Sequence, residues 1–194
     1  MIVRALCRLW CLLFRWRVEP LDHRVPTPCV VIAAPHTSNW DFLALIASAR
    51  LNDVDIRWLG KRQMFEGPLG PLFRHLGGVS VDRSAPGGIV GEMVSLLAGN
   101  PELMVVVPAE GTRSATDYWK SGFYRIASKA DVPIQLSYVD GRTRSSGFGP
   151  SFRPSGDVSA DMDLIRDFYE DKTGIKSGRF ETPRLREEDL ERTA

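Results

Sequence analysis

Cys29-Val30-Val31-Ile32-Ala33-Ala34-Pro35-His36-Thr37-Ser38-Asn39-Trp40-Asp41-Phe42 joins an uninterrupted apolar run to a histidine and an aspartate five positions apart. The run has the length and composition of a strand buried on both faces. Five residues along a continuous helix turn through roughly 500°, which would put His36 and Asp41 on different faces. Ser38 followed three positions later by Asp41 is close to a capping box, so a helix is expected to begin at Asn39 and run through Phe42, Leu43, Leu45 and Ile46 to Arg50. His36 then lies in the loop before that helix and Asp41 in its first turn. From there the carboxylate can reach one imidazole nitrogen and leave the other free to take a proton from an alcohol. The helix start also offers unpaired N–H groups to a developing negative charge. The plainer reading, a first-turn carboxylate and an unrelated loop histidine, fits the pair in isolation.

Three further blocks follow in order: Gly78-Val79-Ser80-Val81-Asp82-Arg83, Glu110-Gly111-Thr112-Arg113 and Val132-Pro133-Ile134. The series resembles the glycerolipid acyltransferase family, which includes the 1-acylglycerol-3-phosphate acyltransferases. The resemblance covers about Ala33 to Tyr138 and takes in connecting stretches such as Lys61-Arg62-Gln63-Met64-Phe65-Glu66-Gly67-Pro68-Leu69-Gly70 and Lys120-Ser121-Gly122-Phe123-Tyr124-Arg125-Ile126-Ala127. The second block departs from the family's usual bulky aromatic or isoleucine pair before the basic residue, which bears on the acyl acceptor more than on the reaction.

Short apolar runs alternate with helical patterns: Val30–Ala34, Ile56–Leu59, Val79–Val81, Leu103–Val107 and Ile134–Val139 as strands, with helices to Arg50, near Leu69–Leu76, and over Ile89–Leu97 and Phe123–Lys129. That rhythm predicts an α/β fold, a mostly parallel sheet flanked by helices. Each polar candidate follows a strand: His36 the first, Lys61 the second, Arg83 the third, and Glu110 with Arg113 the fourth. Ligands of open α/β sheets bind beyond the carboxyl ends of the strands, so these groups are expected to share one cleft. Arginine's paired donors suit phosphate oxygens. The structural alternatives are that Arg83 pairs with Asp82 and Arg113 with Glu110.

The resemblance implies that His36 is the general base and Asp41 its orienting partner. It implies that Arg83, Glu110, Gly111, Thr112, Arg113 and Lys61 bind a phosphorylated acceptor. Glu110 would either contribute to that binding or hold the turn, in which Gly111 permits close backbone approach. Val132-Pro133-Ile134 would shape the site or an acyl pocket. The implied reaction moves a fatty acyl group from acyl-CoA or acyl-carrier protein to a lysophospholipid hydroxyl, foremost 1-acylglycerol-3-phosphate, giving phosphatidic acid. No G-x-S-x-G elbow, Walker-type loop or metal-ligand cluster is present, so neither an acyl-enzyme nor a metal or bound cofactor is expected.

The 194 residues suit one domain with a core of its own. Lys plus Arg is 25 against 24 for Asp plus Glu, which gives no reason to expect nucleic acid as a partner. Cys7, Cys11 and Cys29 do not form a secreted disulfide framework and point to a reducing compartment.

Residues 1–18 combine Arg4, Arg8, Arg15 and Arg17 with Leu6, Leu9, Trp10, Leu12, Leu13, Phe14 and Trp16, and contain no acid. On a helix Arg4, Arg8 and Arg15 fall within about 40° of one another. Such a segment is too short and too charged to span a bilayer, and its composition is that of an interfacial helix drawn to anionic lipid. The expectation is a peripheral protein on the cytoplasmic face of the cell membrane, with residues 19–194 as the acyltransferase domain. A signal peptide or a helix merely packed on the domain are the alternatives. Met162–Tyr169 reads as a helix, and the charged last dozen residues are expected to be mobile.

Two rival functions share these residues: a thioesterase or lipid hydrolase using the His-Asp pair on water, and a non-catalytic lipid binder. An acyltransferase for another lysolipid, such as a lyso-aminolipid, would use the same pair.

Overall fold

Cys29, Val30, Val31 and Ile32 are fully buried because their strand is the central one of seven. A computed structural model describes residues 2–22, 24–81 and 88–191. In chain order the elements are α1 (Ile2–Phe14), β1 (Arg17–Val18), β2 (Cys29–Ala34), α2 (Trp40–Leu51), β3 (Ile56–Lys61), α3 (Arg62–Glu66), α4 (Gly70–His75), β4 (Gly78–Val81), α5 (Gly88–Ala98), β5 (Met104–Val107), α6 (Gly122–Ala130), β6 (Ile134–Asp140), β7 (Ser145–Phe152), α7 (Val158–Tyr169) and α8 (Glu187–Glu191). The sheet runs β1-β7-β6-β2-β5-β3-β4. From β6 to β4 every neighbouring pair is parallel, while β7 lies antiparallel to β6. The predicted α/β architecture is therefore observed, with its parallel strands ending on one edge.

Strand alternation divides the interior into two layers. Val30, Ile32 and Ala34 of β2 pack with Met93 of α5, Phe123 and Ile126 of α6, and Met162 and Ile165 of α7. Cys29 and Val31 face the other way, toward Leu45 and Ile46 of α2, Trp58 of β3 and Phe65 of α3. A strand sandwiched between two helical layers must be apolar at every position, and this is why it shows no polar alternation.

Four elements were not foreseen. β7 has the sequence Ser145-Ser146-Gly147-Phe148-Gly149-Pro150-Ser151-Phe152, whose glycines and proline disguise a strand. β1, α3 and α8 are each too short to leave a period. Within the terminal stretch expected to be mobile, Leu185 is fully buried, and Glu188 is buried against Arg166 at 2.7 Å.

α1 is apolar on two sides. Cys7 is buried and Val3, Trp10 and Cys11 pack against the layer containing α2, while Ile2, Leu6, Leu9, Leu12 and Leu13 face outward, Leu12 with 77% of its surface exposed. Arg4 is drawn inward to Asp53 and to the Leu51 carbonyl. Among the described residues no helix is long and apolar enough to cross a membrane.

The turn between α3 and α4 sets the seat of Trp58, whose ring packs on Phe65 and Phe73. A Cβ on Gly70 would fall 2.1 Å from the Phe65 carbonyl oxygen, whereas one on Gly67 would meet nothing nearer than 3.8 Å. Gly70→Ala should therefore cost about 2–3 kcal/mol in urea unfolding, and Gly67→Ala should stay within about 0.5 kcal/mol of the parent. Equal effects of the two changes would show that the backbone clash is not what fixes this turn.

Candidate active site

β2 and β5 are neighbours in a register that pairs Ile32 with Val107, so both chains leave the sheet at nearly the same level. Pro35-His36 emerges from one and Pro108-Ala109-Glu110 from the other. The His36 backbone N–H donates to Glu110 Oε1 at 2.6 Å, which ties the two loops together across 74 residues of sequence.

Asp41 sits in the first turn of α2, 4% exposed. Its Oδ2 accepts the N–H groups of Thr37 and Ser38, each at 2.6 Å, and lies 3.4 Å from His36 Nδ1. That last separation is longer than a formed hydrogen bond. The box is realised mainly on its carboxylate side, since Asp41 reaches back as predicted while the Ser38 hydroxyl accepts from the Trp40 N–H at 3.2 Å. The helix itself begins one residue later than expected, at Trp40, with Asn39 as its cap. The amides of Thr37, Ser38 and Trp40 are thus already engaged, and the helix start has fewer donors to offer than the sequence implied.

Glu110 is 1% exposed. Burial, offset in part by the His36 N–H and increased by nearby Asp41, pushes its carboxyl up to about 7. Its Oε2 and Asp41 Oδ1 are buried without a protein partner. Two carboxylates, each with an unengaged oxygen, therefore flank the histidine loop.

Beside His36 and Asp41 opens a cavity of about 160 Å³ whose far walls are Phe42, Leu45, Trp58, Leu59, Val106 and Val139. It is polar at the histidine and apolar behind it. A wider cleft of about 630 Å³ lies next to it in the fold, between Trp10, Phe14 and Trp16 at the end of α1 and Trp40 at the start of α2, with Arg15 and Arg144 in its wall. A basin of about 1100 Å³ lies at the amino ends of β3 and β4, away from His36; there Arg4, Arg50 and Arg57 are paired with Asp53 or Asp55.

Gly111 turns the chain with φ +68°, and a Cβ there would lie 2.7 Å from Lys120 Cγ. The Thr112 hydroxyl accepts the Ser114 N–H at 3.3 Å. Arg113 does not pair with Glu110; its guanidinium donates to Asn39 Oδ1 at the cap of α2. His36, Asp41, Glu110 and Arg113 are thus brought together. Lys61 ends β3 at the same sheet edge. Arg83 lies outside the described residues.

Sequence reasoning missed two participants. Asn39 is the partner of Arg113, and the segment Thr173–Arg179 crosses the histidine loop. Lys176 N–H donates to the buried Thr37 hydroxyl at 3.1 Å, and Arg179 Nη1 lies 3.5 Å from the Arg113 carbonyl oxygen. Gly174 is the one signal that could have marked this crossing, because a Cβ there would stand 2.3 Å from Thr37 Cγ2.

The cysteines are remote from this chemistry in character. Burial raises all three thiols, Cys29 to about 12.

The chain matches none of the curated proteins. Among solved structures its fold is similar to the crystal structure of the 1-acyl-sn-glycerophosphate (LPA) acyltransferase PlsC from Thermotoga maritima, with a TM-score of 0.57 over 87% of this chain and 74% of that one, at 16% identity. A family model described as Acyltransferase matches residues 15–136, a span that includes His36, Asp41, Glu110 and Arg113. The chain belongs to the acyltransferase family.

Proposed function

We propose that the protein transfers a fatty acyl group from an acyl thioester, acyl-CoA or acyl-carrier protein, to the free hydroxyl of 1-acylglycerol-3-phosphate, giving phosphatidic acid. The observation that carries this reading is the placement of His36: Asp41 stands on its Nδ1 side and an apolar cavity opens beside it. With Nδ1–H turned to the carboxylate, Nε2 is the free base. It takes the proton of the acceptor hydroxyl, and the oxygen attacks the thioester carbonyl. The tetrahedral intermediate then expels the thiolate, which recovers the proton from the imidazolium. Asp41 stabilises that imidazolium. The raised thiols of the buried cysteines support direct transfer over a cysteine acyl-enzyme.

At about 160 Å³ the cavity falls below the roughly 300 Å³ at which ligand pockets begin. It suits the thioester end of an acyl chain, and the neighbouring aromatic cleft offers room for lipid tails. Arg113, with Lys61 and Arg83 at the same edge by sequence, supplies positive charge for the acceptor phosphate.

The protein works as a peripheral enzyme on an anionic membrane surface. Support comes from the outward apolar side of α1 and from its continuation across the Phe14–Trp40 ring contact, 5.2 Å between centroids, onto exposed Trp40 and Leu43 beside the site.

His36→Ala should lower the rate about a hundredfold to ten-thousandfold with an unchanged unfolding midpoint, and Asp41→Asn should cost less. The assay is thiol release from long-chain acyl-CoA with and without lysophosphatidic acid, with the lipid product weighed. Release independent of acceptor would identify a hydrolase instead, and a fully active, folded His36→Ala protein would remove the mechanism.

Glu110 gives a pH signature. A carboxyl with a folded pKa of about 7 and an ordinary unfolded value leaves the native state holding more protons between those values, so its contribution falls as pH rises through that window. Glu110→Gln cannot ionise. Its stability relative to the parent should therefore climb between pH 5 and pH 7, by at most about 1.4 kcal/mol per pH unit, and level off above. A pH-independent difference in urea midpoints would contradict the raised pKa.

For the membrane reading, Leu6→Glu with Leu12→Glu should abolish flotation with vesicles containing anionic phospholipid while leaving turnover of detergent-dispersed lipid nearly intact. Undiminished flotation would reject α1 as the contact.

A further inference from the structure

We propose that the segment Gly174–Arg179 is an anion-binding strap, in which Arg179, seconded by Lys176, binds the acceptor phosphate together with Arg113. The inference deepens the acyltransferase reading and rests on it. The strap lies beyond residues 15–136, the span that marks the family.

The strap is fixed at the histidine loop by backbone contacts. At its start, Asp140 Oδ1 accepts both the N–H and the hydroxyl of Thr173, at 3.2 Å and 3.0 Å, and the Thr173 carbonyl receives the Gly141 N–H at 2.7 Å. Gly174 then passes so close to Thr37 that only a residue without a side chain fits, and Lys176 N–H lands on the Thr37 hydroxyl. Thr37 is also one of the two residues whose N–H groups hold Asp41 Oδ2. The backbone of this strap is therefore held beside the His36–Asp41 pair, and its exposed cations are carried at that edge.

Charge balance points to the ligand. Arg4, Arg17, Arg57, Arg62, Arg166 and Arg184 each pair with a carboxylate. Arg113, Lys176 and Arg179 form no ion pair among the described residues. Arg113 is hydrogen-bonded to a neutral amide oxygen, and the Arg179 guanidinium lies against the main chain of Arg113 itself. Exposed like charges gathered at one edge and engaged by no carboxylate repel one another, and an anion between them relieves that repulsion. Guanidinium forks match phosphate oxygens. The acceptor's phosphate monoester and the phosphates of the CoA donor share this chemistry; the acceptor is favoured because the cations lie at the histidine loop, where the attacking hydroxyl must sit.

The test uses the full chain with Arg179→Ala, Arg179→Lys and Lys176→Ala/Arg179→Ala, all surface changes. With lysophosphatidic acid in uncharged detergent micelles, the double variant should raise the apparent KM for that acceptor about tenfold or more, from the loss of charge-assisted bonds. Its kcat and its KM for acyl-CoA should stay within about twofold of the parent, and Arg179→Lys should recover much of the loss. Monoacylglycerol, which lacks the phosphate, should bind parent and variants alike. An unchanged KM for lysophosphatidic acid would overturn the proposal. So would a rise confined to acyl-CoA, which would assign the strap to the donor, or an equal loss for monoacylglycerol, which would make it a mere support for Thr37. Calorimetric titration of His36→Ala protein with and without Arg179→Ala separates this from turnover. Arg179-dependent binding in that titration, together with no acylation of any lysolipid by the parent chain, would reject the proposed reaction and keep the strap; parent turnover of lysophosphatidic acid with no Arg179 dependence would do the reverse.

Discussion

One carboxylate oxygen organises the site. Asp41 Oδ2 accepts two backbone N–H groups from the loop that carries His36 and also faces the imidazole. The loop conformation and the histidine orientation are therefore set by the same atom, and the ring cannot be placed without first closing the turn. The second tie, from the His36 N–H to Glu110, joins that turn to the neighbouring strand. Between them they convert a mobile connection, the usual state of a loop after a strand, into a platform with the precision of the sheet.

The sheet makes this possible because its central strands have no polar face. β2 and β5 are covered on both sides, so their ends are anchored by burial, and polar groups can only appear where the strands stop. Glu110 shows the cost of the arrangement. It is buried for the sake of one hydrogen bond to a main-chain amide, and its carboxyl is held near neutrality as a result.

The fold was legible in residues 29–140, where each buried strand is a run of apolar residues and each covering helix has its own period. The gathering of His36, Asp41, Glu110 and Arg113 beyond the strand ends was legible as well, because spacing and order survive in the sequence when the supporting strands are parallel. Other features left no trace. β7 is rich in glycine and serine and gains its strand conformation from β6, a tertiary effect. Asn39 reads as an ordinary first helical residue, and only the folded chain reveals that it caps α2 and that its side chain serves Arg113. Thr173–Arg179 has no periodicity, since its contacts are made by backbone and by a missing Cβ. Arg83 lies outside the described residues, so its place remains that given by the resemblance.

Thr37 and the residue that caps its hydroxyl are 139 positions apart. Synthesis therefore makes α1 well before the segment that completes the histidine loop's surroundings, which follows most of the sheet. The outward apolar side of α1 and the finished centre are separated in time by the length of the polypeptide between them. A nascent chain of this design presents an apolar helix face before it has a finished centre.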